Sequence, residues 1–159
     1  MVHGAGSLFS EVPKVVEWGG IVSSRSVRSS YAPITRRVPF AASSVSLARK
    51  ELRTWMREEG FSRDAIEDGR LVISELVGNS VRHAQPLSDG TILITWCRDR
   101  GGLRVSVTDG GSTSRPRALA APASAVSGRG MAIVEALAQD WWSERTRSRS
   151  TIHALLASG

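Results

Sequence analysis

A chain of 159 residues with 41% hydrophobic composition has the size and apolar content of one domain with a real core. Its net charge of +6 would suit an acidic partner, yet the arginines are spread through every segment instead of forming a run, so charge alone selects no function. A single cysteine, Cys97, excludes an internal disulfide framework, and no stretch approaches the roughly 18 apolar residues of a membrane helix.

No opening stretch joins a charged start to a long apolar run and a cleavage site, which leads to the expectation of a soluble cytoplasmic protein. Residues 1–33 lack a sustained period of 2 or 3.6 and are interrupted by Pro13 and Pro33. They are expected to form a flexible tail before a domain at 34–159, with Trp18 as a possible docking point. A short strand is predicted at Thr35–Phe40. Ser43 or Ser44 then caps a helix carrying Ala48, Leu52, Trp55 and Met56 on one face and ending at Gly60.

Ser62 caps a second helix, in which Ile66, Ile73, Val77 and Val81 form the buried stripe. Glu75 and Asn79 lie together on nearly the opposite side, and Pro86 ends the helix. Alternation at Thr91–Cys97 and through Leu103, Val105 and Val107, around Asp99-Arg-Gly-Gly102, predicts a β-hairpin. Residues 112–127 read as a long loop able to act as a lid. A helix follows from about Gly130 to Ala138, then strands at Trp141–Thr146 and Thr151–Leu156, with Trp141 and Trp142 split between core and surface. The order predicts an α/β chain of α+β two-layer type, with a mixed, largely antiparallel sheet covered on one face by helices.

Three polar or glycine-rich signatures stand out against this background. Glu75 and Asn79, one helical turn apart, offer a carboxylate and an amide oxygen to one space. Such a pair suits Mg²⁺, which takes oxygen ligands and bridges protein to phosphates, and leaves the carboxylate free as a base. Two solvated side chains would carry the same spacing. Asp109-Gly110-Gly111 ends a strand, where the carboxylate can accept from an exocyclic amine or simply make a turn. Gly128-Arg129-Gly130 opens an apolar helix whose free N–H groups favour phosphate. The chain lacks a Walker-type loop and a Rossmann glycine motif, and His83 reads as a structural helix end.

Taken together, Glu75-x-x-x-Asn79-x-x-x-His83-Ala84, Asp109-x-Gly111 and Gly128-x-Gly130-Met131 resemble the N box, the adenine-contacting box and the final glycine box of the GHKL (Bergerat-type) ATPase superfamily, over residues 35–156. Within it, Gly-Arg-Gly-Met-Ala-Ile-Val-Glu-Ala-Leu is similar to the stand-alone anti-sigma-factor serine kinases of bacteria. The resemblance implies ATP and Mg²⁺ as cofactors, with Glu75 as general base, Asn79 as the Mg²⁺ ligand and Asp109 as the adenine reader. Gly111, Gly128, Arg129, Gly130 and Met131 would line the nucleotide, and Thr151 would support the base site. It also implies an anti-anti-sigma (STAS-type) protein or a sigma factor as partner, with no direct nucleic acid or membrane binding and a possible homodimer. The chain departs from the pattern at Thr113, at Gly78 and at Ala123 to Val126. Competing readings are a nucleotide-responsive binding module without phosphoryl transfer and a basic nucleic-acid binder.

Overall fold

The computed structural model describes residues 32–112 and 129–159. The expected tail before residue 32, the lid at 113–127 and Gly128 lie outside the described residues. The elements run β1 (Ile34–Pro39), α1 (Ser43–Glu58), α2 (Arg63–His83), β2 (Thr91–Asp99), β3 (Gly102–Asp109), α3 (Arg129–Leu137), β4 (Asp140–Arg145) and β5 (Ser150–Leu156).

The strands form one sheet in the order β1-β2-β3-β5-β4. Every pairing among the described residues is antiparallel, so the parallel contribution allowed by a mixed sheet is absent there. The β2–β3 hairpin turns through Arg100 and Gly101, at φ 52° and 81°; two positive φ values match the right-handed twist of the strands they join.

Strand alternation decides which side faces the helices. Ile92, Ile94 and Trp96 of β2 and Leu103, Val105 and Val107 of β3 are buried beneath α1 and α2, against Leu52, Met56, Val72, Ile73, Leu76 and Val77. The stripe expected on α2 is buried at Ile66, Ile73 and Val77, with Val81 partly buried against the core, and it is wider than predicted, because Leu76 and Val72 are also fully buried. Near the middle of α2, Gly69 sits where a Cβ would lie 2.9 Å from Met56 Sδ, so the missing side chain lets the two helices and Leu103 close up.

The predicted cap of α1 is different in the structure. Ala42 occupies the N-cap position with no side-chain hydrogen bond, and the buried Ser44 hydroxyl instead donates to the Pro39 carbonyl at 2.6 Å. Ser44 thereby ties the start of α1 to the end of β1.

Candidate functional site

Ser62 starts α2 by accepting a hydrogen bond from the Ala65 N–H at 3.1 Å, which fixes the register of the 21-residue helix. In that register Glu75, Gly78, Asn79 and Arg82 share one stripe. The sequence places Glu75 and Asn79 on an outward face, but both are half-buried, because α3 packs along this side of α2. Contact there is close: a Cβ built on Gly130 would lie 2.4 Å from Glu75 Oε2, so only glycine fits beneath the carboxylate. The next residue, Met131, is buried and shares with Asn79 a cavity of about 40 Å³, bounded by Trp141 of β4 and by Ser150 and Ile152 of β5.

Asp109 closes the arrangement from the end of β3. It is buried and accepts from the Ser80 hydroxyl at 2.5 Å and from the Gly111 N–H at 2.8 Å. Each carboxylate oxygen thus keeps acceptor capacity. Gly111 has φ +83°, and the turn is stapled to the segment after α2 by Gly110 N–H to Gln85 O and Gln85 N–H to Gly111 O, both 2.8 Å. Asp109 and Asn79 are therefore linked through Ser80, the neighbour of Asn79 on α2.

The structure thus brings Glu75 against Gly130 and Asn79 beside Met131, and it ties Asp109, with Gly111 beside it, to α2 through Ser80. Arg129 begins α3. Thr151 does not join them. Its register partner on β3 is Thr108, and the two hydroxyls meet at 2.8 Å on the opposite face of the sheet. The β5 residue on the helix side is Ser150, opposite Asp109. Alternation along a strand moves a one-residue error to the other face.

Ser80 and Arg82 escaped the sequence reading, although both were signalled. A serine three residues after Val77 falls on the buried stripe and needs a partner, and Arg82 lies seven residues after Glu75. Larger cavities exist elsewhere, such as one of about 430 Å³ between α1 and β1 lined by Trp55 and Trp96. Size alone does not locate the site, because none of the three signatures borders that groove.

The histidine kinase-like ATPase domain family matches residues 38–154. The chain belongs to this family. Among curated relatives, the serine-protein kinase RsbW of Listeria monocytogenes serotype 4a is 37% identical over 81 residues, covering 50% of this chain and 52% of that protein. The RsbW of Staphylococcus epidermidis is 35% identical over 71 residues, 45% of each. The chain spans about half the length of these curated relatives. Two solved structures share the fold: the RsbU and RsbW domains of Rv1364c from Mycobacterium tuberculosis, at TM-score 0.62 and 23% identity over 80% of this chain and 32% of that one, and the SiaB–SiaC complex from Pseudomonas aeruginosa, at TM-score 0.59 and 12% identity over 77% and 88%. No helix among the described residues is long and apolar enough to cross a membrane.

This histidine kinase-like ATPase domain carries a second polar cluster on its outer sheet face. Ser106 and His153 Nδ1 are 2.7 Å apart, His153 stacks on Trp142 at 4.8 Å, and Glu144 Oε1 stands 3.7 Å from Nε2, beyond hydrogen-bond reach. Burial lowers the His153 pKa below its ordinary value, Glu144 opposes that shift, and Arg104 adds to it. The folded state therefore favours the neutral ring. Its contribution to stability is full above about pH 6.5, the unfolded value, and is lost as pH falls through the lower folded value. The urea midpoint is expected to drop more steeply on acidification in the wild type than in His153→Gln; parallel profiles would show that this ring does not supply the pH dependence.

Proposed function

We propose that this chain is an ATP- and Mg²⁺-dependent serine kinase of the anti-sigma-factor type, which binds and phosphorylates an anti-anti-sigma partner of STAS type. One observation carries the reading. Glu75 and Asn79 point at the glycine-opened start of α3 and, among the described residues, neither makes a side-chain hydrogen bond or ion pair. Half-buried polar groups without protein partners fit a polar ligand. The names of the RsbW relatives and the SiaB–SiaC assembly support a kinase with a protein partner.

The residues present suit the ligands that this reading requires. Asn79 has a free amide oxygen for Mg²⁺, a hard ion that accepts a single protein ligand when phosphates and waters complete its shell. Bound there, Mg²⁺ would neutralise phosphate charge. Asp109, held by Ser80 and Gly111, keeps acceptor sites for the exocyclic amine of adenine. Gly111 and Gly130 leave bare backbone beside the phosphates, and the N-terminal N–H groups of α3 face them. Gly128 and Arg129 extend that lining in this reading.

Glu75 takes the proton of the acceptor serine. As the serine Oγ bonds to the γ-phosphorus, the bond from that phosphorus to the bridging oxygen breaks, and ADP leaves. The same reading extends to a sigma factor as a second protein partner and to a homodimer.

Incubating the full chain with γ-labelled ATP, Mg²⁺ and a STAS-type protein should place label on a serine of that protein. Asn79→Ala should weaken Mg²⁺-dependent ATP binding at least about tenfold, the loss expected for one contact to a charged group. ATP bound without transfer would leave a nucleotide-responsive binding module. ATP affinity unchanged in Asn79→Ala would remove the metal assignment.

A further inference from the structure

The last two strands are joined by a turn of concentrated charge. Arg145, Arg147 and Arg149 fall within the five residues that close the β4–β5 hairpin, and all three are exposed. Among the described residues none of their side chains makes an ion pair or hydrogen bond, and Glu144, the adjacent acid, stands beside His153 on the outer sheet face. The turn that carries them is pinned from within. Thr146 N–H donates to the Arg149 carbonyl at 2.9 Å, and Thr146 Oγ1 accepts from the Arg149 N–H at 3.1 Å and the Ser148 N–H at 3.4 Å.

Register sets this turn at the mouth of the candidate site. Arg145 pairs with Ser150, and Ser150 with Asp109, so the tip projects from the end of the sheet where the Asp109-Gly110-Gly111 turn lies. Arg145 borders the cavity shared by Asn79 and Met131, whereas Arg147 and Arg149 do not line it. Like charges held on one fixed turn repel one another, which costs stability unless an opposing acidic surface offsets it. Protection of the sheet edge does not explain them. That role spreads charge along the edge strand, and β4 carries no basic residue before Arg145, at the end nearest the site.

We infer that Arg147 and Arg149 form a docking prong for an acidic surface of the acceptor protein, close to the serine that receives the phosphate. The inference rests on the kinase reading above and adds to it the charge of the partner's contact face and the residues that meet it. Exposed ion pairs of this kind add little affinity singly. Their effect lies in steering the encounter and fixing its orientation, and it depends on salt.

The test is transfer of label from γ-labelled ATP, saturating and with Mg²⁺, to the STAS-type protein over a range of its concentrations, for the full chain and for Arg147→Glu/Arg149→Glu. At about 50 mM salt the double variant should raise the KM for the protein at least about tenfold, the low end of the range for electrostatic steering, with kcat unchanged. At about 0.5 M salt, where the screening length falls to a few ångströms, the two KM values should converge. Arg147→Gln/Arg149→Gln should move KM the same way by less, and it serves if the reversed charges disturb the turn. A KM unchanged in both variants, or a rise that persists at high salt, overturns the prong while phosphoryl transfer stands. Salt-dependent binding of duplex DNA that is lost in the variants while KM stays the same assigns these arginines to nucleic acid and overturns it as well. A wild type that labels no STAS-type protein takes down both this inference and the function on which it rests.

Discussion

Glu75→Gln is expected to bind ATP as well as the wild type, or slightly more tightly, and to transfer its phosphate roughly 10²–10⁴-fold more slowly, the usual contribution of a positioned general base. The amide keeps the size of the carboxylate and still fits over Gly130, where the close approach to Glu75 Oε2 leaves no room for a larger group. What disappears is the proton acceptor and one negative charge beside the triphosphate. Like charges in a half-buried site repel, so the loss of one favours nucleotide binding. Single-turnover transfer to the partner protein, measured beside ATP affinity, separates the two effects. Transfer at the wild-type rate would show that positioning alone drives the reaction and that Glu75 is not the base.

Gly110→Ala is expected to lower stability by about 1–3 kcal/mol, the range seen when a methyl is forced into filled space. A Cβ at Gly110 would lie 2.1 Å from the Pro86 carbonyl oxygen and 2.9 Å from its carbon. Both are backbone atoms that cannot rotate away. Relief requires opening the paired 2.8 Å bonds between Gly110, Gly111 and Gln85, and the carboxylate of Asp109 moves with them. Gly111 makes a useful contrast, because its Cβ position is open and its cost comes only from a φ of +83°. An unchanged urea midpoint for Gly110→Ala would mean that the two segments are not held this closely in solution.

Much of the architecture is legible in the amino-acid sequence. The Ser62 cap, the 3.6-residue rhythm of α2 and the alternation of β2 and β3 are local patterns, and local patterns declare themselves in sequence. The split of Trp141 and Trp142 between the faces followed from the same alternation: Trp141 packs on the core, and Trp142 stacks on His153 outside. Ser44 departs from the expected cap for an equally local reason. A serine near a helix start usually caps it, whereas here its hydroxyl meets a carbonyl of the preceding strand.

The sequence by itself determined which residues carry polar chemistry, because side-chain type and spacing within one helix or turn are local properties, even though solvated helix faces and ordinary turns use the same residues. The tertiary structure decided which of them meet. Burial of Glu75 depends on α3 lying over α2, the Asp109 anchor depends on a serine 29 positions earlier, and the exchange of Thr151 for Ser150 depends on how β5 pairs with β3. Spacing along a chain fixes direction only within one element; contact between elements is set by packing and register, which no single segment contains.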